Sequence, residues 1–186
     1  MSRPSPQAVR CTPRSERRQR HSHHNRPLAG ERITMRHVGE RALPFRLAAL
    51  DDENLTLIDP DTFLGRWVVL SFVSGLEESD AVLWDEQGRR MKGLGASLLV
   101  APLEPKTLYQ RRFHSGPAHF TIVGDPLGRL QRLYGARTLL SSGRARTFLV
   151  DPEGRLRFHV LHSLSARGMG VITEVLNTYQ HAEVPA

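Results

Sequence analysis

Residues 67 to 73, WVVLSFV, narrow the choice of fold more than any other part of this chain. A strand with one wet face alternates apolar and polar side chains, and a surface helix repeats its apolar residues every three or four positions. This run does neither. It is apolar throughout except for Ser71, rich in valine and aromatic side chains, and bounded by Gly65 and Gly75. Such a run reads as a central strand buried on both faces, which requires covering layers above and below it.

The rest of the chain supplies those layers. FRLAAL and LTLID flank Asp51-Asp52-Glu53-Asn54 and read as two extended segments joined by a polar turn. Residues 77 to 94 follow the apolar run as a helix, with Val82, Leu83, Met91 and Leu94 near one face. Glu77, Glu78 and Asp80 fall in its first turn, where acidic groups suit the helix dipole. SLLVAP (97 to 102) is a second buried strand, and a polar helix through Leu108, Tyr109 and Phe113 is expected after Glu104-Pro105. HFTIVGD (119 to 125) reads as the next strand and LGRLQRLYG (127 to 135) as a short helix ended by glycine. RTFLVD and RLRFHVLHS are strands around a tight turn at Asp151-Pro152-Glu153-Gly154, and LSARGMGVITEVLNTYQ is a closing helix. Strands alternating with helices, then a hairpin and a helix, predict an α/β three-layer sandwich with a central mixed sheet and an N-terminal β-hairpin.

Charge separates two parts of the chain. Residues 1 to 34 hold eight arginines against Glu16 and Glu31, which leaves 18 basic and 17 acidic residues for 35 to 186. The net charge of +7 is thus almost all in the tail. A nucleic-acid partner would need a basic face on the folded part, so none is expected. No stretch approaches the roughly 20 apolar residues that cross a bilayer, and no apolar signal core opens the chain, so no membrane is expected and the setting is read as cytoplasmic. The single cysteine, Cys11, lies in the tail and rules out an intrachain disulfide or a multi-cysteine metal site. His21, His23 and His24 sit on the same arm and are read as incidental, so neither a metal nor another cofactor is expected.

Three strings in order, VGERALPFRLAALDDENLTLIDPDTFLGRWVVLSF, GDPLGRLQRLYGA and TFLVDPEGRLRF, resemble the opening hairpin and first core strand, the Asp-x-x-Gly…Tyr-Gly segment and the final hairpin of the peroxiredoxins. These are the alkyl hydroperoxide reductase and thiol-specific antioxidant group of the thioredoxin superfamily. The resemblance covers about residues 37 to 180 and implies a thioredoxin-like fold over 35 to 186. It also implies thiol-dependent reduction of hydroperoxides, by a cysteine at the start of the helix after the first core strand, where the helix N-terminus and nearby cations make a reactive thiolate.

No cysteine stands there. Counted forward from the strand, the family's Pro-x-x-x-Thr-x-x-Cys falls with Ser74 at the proline, Glu78 at the threonine and Ala81 at the cysteine. Counted back from Leu94-Gly95-Ala96, the cysteine falls near Leu76 or Glu77, and the Cys-x-x-Cys register of related reductases sets Leu76 and Ser79 at its two cysteines. A serine hydroxyl stays protonated and attacks peroxides poorly. Glu77, Glu78 and Asp80 add negative charge where a thiolate would need the opposite. The family's active-site arginine corresponds to Ala145, flanked by Arg144 and Arg146, so either guanidinium would need a bulge to reach the pocket, which Thr147 would line.

The expected vestigial pocket is therefore Ser74, Glu78, Ser79, Ala81, Arg144, Arg146 and Thr147, with no catalytic residue. His114, His119, His159 and His162 are read as structural, and His159 and His162, three apart on one strand, as facing opposite sides. The leading expectation is a binding or regulatory homologue without peroxidase chemistry. The alternatives are an enzyme using the same cleft without sulfur, through Glu78, Ser79 and an arginine, and a subunit that pairs with itself or another peroxiredoxin-like protein.

For the tail, a disordered arm and a targeting peptide compete with an upstream extension that is not translated. The third is favoured, because Met35 opens MRHVGERALPF as such domains usually begin, and Gly30-Glu31-Arg32 can be encoded by a purine-rich stretch resembling a ribosome-binding site. The endogenous protein is then expected to have an intact mass starting at Met35; a mass starting at residue 1 or 2 would refute this start.

Overall fold

The computed structural model describes residues 37–42, 44–51, 54–76, 78–103, 119–125, 127–136 and 143–182. The basic tail, Glu77 and the helix expected through Leu108, Tyr109 and Phe113 lie outside the described residues. The hairpin forms as β1 (Leu47–Asp51) and β2 (Asn54–Ile58), with Asp51 paired to Asn54 across the turn. A 3-10 turn at Pro60–Phe63 leads to β3 (Trp67–Val73), α1 (Glu78–Gly93), β4 (Ala96–Pro102) and β5 (Thr121–Val123). Then come α2 (Arg129–Leu133), β6 (Arg144–Val150), β7 (Leu156–Ser163) and α3 (Ala166–Ala182).

The strands make one mixed sheet in the order β2-β1-β5-β4-β3-β6-β7. β3 runs parallel to β4 and antiparallel to β6, and all seven of its residues are buried. Because side chains alternate across a strand, β3 feeds two cores. Trp67, Val69 and Val73 pack with Trp84 and Met91 of α1 and with Met169, Ile172 and Leu176 of α3. Val68, Leu70 and Phe72 face the other layer, with Leu130 and Tyr134 around α2 and Phe63 from the 3-10 turn. This is the expected α/β three-layer sandwich.

Two short motifs are tied down by carboxylates. Asp125 is buried and accepts from the backbone N–H groups of Arg129 (2.7 Å) and Gln131 (3.0 Å), satisfying free donors at the start of α2. Asp151 is buried at the β6–β7 turn, where it accepts from the Arg155 N–H (2.6 Å) and the Arg157 side chain (2.6 Å). Gly154, at φ 76°, lets that turn close.

α1 packs on a different face from the one its aliphatic residues suggest. Val82 is 74% exposed, while Trp84, Gln87, Gly88 and Met91 are buried at helical spacing. Leu83 and Leu94 only flank that face. Gln87 can be buried because its Nε2 donates to the Met169 carbonyl (3.1 Å) and the Thr173 hydroxyl (3.2 Å) on α3. At Gly88 the helix backbone meets His119, whose N–H (3.0 Å) and Nδ1 (2.7 Å) both bond Asp85 Oδ1. β5 covers Thr121–Val123 and is shorter at both ends than HFTIVGD suggested.

A β-carbon at Gly88 would lie 2.1 Å from the His119 carbonyl oxygen, whereas one at Gly93 meets nothing within 4 Å. Gly88→Ala is expected to destabilise the fold by about 1–3 kcal/mol or more in denaturant unfolding, and Gly93→Ala to leave stability unchanged or slightly raised.

Candidate functional site

The junction after β3 is where the resemblance places the chemistry, and the chain fills it with core. Ser74 and Gly75 are half-buried, and Leu76 is 2% exposed, packed in the cluster that holds Val73, Trp84, Ala145 and Met169. α1 starts at Glu78; Ser79 is exposed and Ala81 half-buried in its first turns. A leucine seated in the core consolidates the turn and presents no nucleophile to solvent.

β6 decides where the arginines go. Its ladder with β3 is regular from Val150 to Ala145, which leaves no bulge to redirect a side chain. Ala145 and Thr147 therefore face α1 and α3, while Arg146 and Phe148 face the α2 layer. The Arg146 Nη1 donates to the Gly135 carbonyl (3.0 Å), and its guanidinium carbon lies 5.9 Å from the centre of the Phe148 ring. Burial lowers the pKa of this arginine. Arg144 is exposed at the start of β6. Thus Thr147 shares the face of α1, Arg146 is on the opposite face, and the proposed polar set is not brought to one point.

A different polar group does converge on the α1 face. Ser71 lies opposite Thr147 in the β3–β6 ladder, and their hydroxyls are 2.8 Å apart. Thr147 Oγ1 is in turn 2.8 Å from His162 Nε2 on β7. His162 Nδ1 lies 3.0 Å from the Ser163 carbonyl, which can only accept, so the proton sits on Nδ1 and Nε2 is an acceptor in the neutral ring. The order follows: Ser71 donates to Thr147, Thr147 to His162, and His162 to Ser163. Ser71 and Thr147 are 2% and 1% exposed, so this relay satisfies buried groups and offers no open nucleophile. Burial lowers the His162 pKa, against the opposing effect of the Ser163 hydrogen bond. His159 is on the other face against Phe148 (5.6 Å), and burial, then the charges of Arg146 and His37, lower its pKa.

Sequence reading named Thr147 but missed Ser71 and His162 as its partners. The available signal was parity. Ser71 is the hydroxyl residue within the apolar run of β3, and Thr147 has the same place within Ala145 to Val150. His162 is next to Ala145 across the β6–β7 ladder, but that register cannot be counted from sequence. Among the described residues no group of three or more His, Cys, Asp or Glu side chains is placed to hold a metal ion.

The topology and layers are those of a thioredoxin-like α/β sandwich. Solved peroxiredoxin structures share this fold. A reduced 2-Cys peroxiredoxin of Plasmodium vivax superposes with a TM-score of 0.65 at 18% identity, covering 80% of this chain and 99% of that one. AhpC of Mycobacterium tuberculosis gives 0.65 at 18%, over 82% and 98%. An N-terminally modified Prx1a of Plasmodium yoelii that forms an artifactual octamer gives 0.65 at 18%, over 79% and 93%. No protein-family model matches the chain, and no curated protein matches it either.

The histidines make a pH prediction. In the fold, burial holds the pKa values of His162 and His159 below the ordinary histidine value of 6.5, so the unfolded chain takes up protons first as pH falls. Their contribution is complete above about pH 6.5 and is lost progressively below it. The melting temperature is expected to fall between about pH 7 and pH 5, and less steeply in His162→Gln; an equal slope in that variant would remove His162 from the account.

Proposed function

We propose that this protein is a peroxiredoxin-like domain without thiol peroxidase activity, acting in the cytoplasm as a binding or regulatory module. One observation carries the reading: the turn that would bear the peroxidatic thiol holds Leu76 in the hydrophobic core, and residues 35 to 186 contain no cysteine at all. The commitment of Arg146 to Gly135 on the far side of the sheet supports it, because it removes the cation that would polarise a peroxide. The same placement leaves sulfur-free catalysis through Ser79 and Arg146 without a common pocket.

Association with itself or with another peroxiredoxin-like protein is the partner side of this reading. From Phe158 to Ser163 the outer edge of β7 pairs with no further strand among the described residues, and an open edge is a natural place for a second chain to add.

The full chain is expected to consume no hydroperoxide above buffer in the presence of a thiol reductant, and Cys11→Ser to behave identically. Ala81→Cys is expected to restore no robust rate, because Glu78 and Asp80 lie close to that position in sequence and Arg146 is held on the opposite face of the sheet. Turnover comparable to an ordinary peroxiredoxin, in either protein, would overturn the reading.

A further inference from the structure

A cleft of about 570 Å³ opens at the end of the sheet where β4 and β5 begin. β3 and β4 run parallel from Trp67 and Ala96, and the peroxiredoxin-like junction lies beyond Val73. The seven-residue length of β3 thus separates the two places by about 20 Å. The cleft is unrelated to the Ser71–Thr147–His162 relay and to the α1 N-terminus.

Its walls divide by chemistry. Apolar side chains reach it from both cores, Leu98 and Phe120 from the α1 side and Ile58 and Phe63 from the α2 side, together with Leu57, which is 61% exposed. Arg66 and Lys92, both exposed, supply positive charge, and hydroxyls come from Thr56, Thr62, Ser97 and Thr121. No carboxylate is among the described lining residues. Two acids border it and both are engaged: Asp59 accepts from the Thr62 N–H (3.1 Å) and hydroxyl (3.0 Å), and Asp85 pairs with His119 Nδ1 (2.7 Å) and Arg89 (3.2 Å). Asp85 thereby fixes the His119 ring and leaves Nε2 as its remaining polar atom.

Arg66 and Lys92 carry no ion pair or side-chain hydrogen bond with other described residues, so their charge is not already spent. The C-terminus of α1 also borders the cleft, and its carbonyls would repel an anion if bare. They are not bare. The Leu94 N–H bonds the carbonyls of Arg90 (3.2 Å) and Met91 (3.0 Å), the Gly95 N–H bonds that of Lys92 (3.0 Å), and Gln180 Nε2 caps the Leu94 carbonyl (2.7 Å). What remains is a positive, hydroxyl-lined rim beside an apolar wall. Its volume falls within the roughly 300–1,000 Å³ of small-molecule sites.

From this we infer that the cleft binds a small organic anion, with a phosphate or comparable oxyanion group held by Arg66, Lys92 and the hydroxyls, and an apolar or aromatic body against Leu57, Phe63 and Phe120. The inference concerns a site remote from the missing thiol, so it stands or falls separately from the absence of peroxidase activity.

Amide shifts of the full chain on titration with phenyl phosphate, inorganic phosphate and phenol test it. Phenyl phosphate is expected to give saturable shifts at Gly95, Ser97 and Thr121, with inorganic phosphate weaker and phenol not saturating. The double variant Arg66→Gln/Lys92→Gln, at exposed positions that keep the fold, is expected to weaken phenyl phosphate by about tenfold or more. Leu57→Ser is expected to weaken phenyl phosphate but not inorganic phosphate. The proposal is overturned if no saturable shift occurs, if shifts are confined to the arginine-rich tail, if the double variant binds unchanged, or if phenol binds as well as its phosphate ester.

Discussion

Burial of β3 on both faces is the constraint from which the rest follows. A strand of seven buried residues cannot exist at a surface, so its neighbours must cover two sides and pair two edges. β4 and β6 supply the edges, α1 and α3 one cover, and α2 with the 3-10 turn and the segment around Ala42 and Phe45 the other. Each apolar residue buried here contributes on the order of 1.5–3 kcal/mol, which makes this strand and its two cores the least alterable part of the molecule. The same burial limits chemistry. A side chain on β3 or β6 can be polar only if it finds a partner within the layer, and Ser71 with Thr147 meets that condition.

The same burial accounts for a peroxiredoxin-like fold with no thiol at the β3–α1 junction. A peroxidatic cysteine must be held accessible at the β3–α1 junction, with cations around it. Here Leu76 points into the core, Ala145 adds to the same cluster, and Arg146 binds a carbonyl on the other face. All three are packing or backbone hydrogen bonding where a thiolate site would need an exposed, charged arrangement. None asks anything of the strand order, so the architecture can match solved peroxiredoxins over four fifths of the chain at under a fifth identity.

Much of this architecture was legible because the apolar runs and turn residues are local signals. WVVLSFV, SLLVAP and the strands around Asp151-Pro152-Glu153-Gly154 fall within a residue or two of β3, β4, β6 and β7. The face of α1 was misread at Val82 because a helix interior is decided by what it meets. Gly88 is required by the His119 backbone and Gln87 by acceptors on α3, and neither partner is near in sequence. Failure at the site has the same origin. Ser71, Thr147 and His162 come from three strands, and their meeting depends on two inter-strand registers. The absence of cysteine needs no register at all, which is why it could be read directly.

The two polar regions differ in what they can exchange with solvent. The relay on the α1 face is closed, since each donor from Ser71 to His162 already has an acceptor, and a ligand could enter only by breaking that chain. At the opposite end of the strands, Arg66 and Lys92 are exposed beside a cleft with their charge uncompensated. Binding energy is available where a group is solvated in the free protein and can be better paired in the complex. By that criterion the anion inferred above would gain binding energy at the cleft and not at the relay. On the α1 face, Leu76, Ser71 and Thr147 are each at most 2% exposed, so this side of the sheet is packed core.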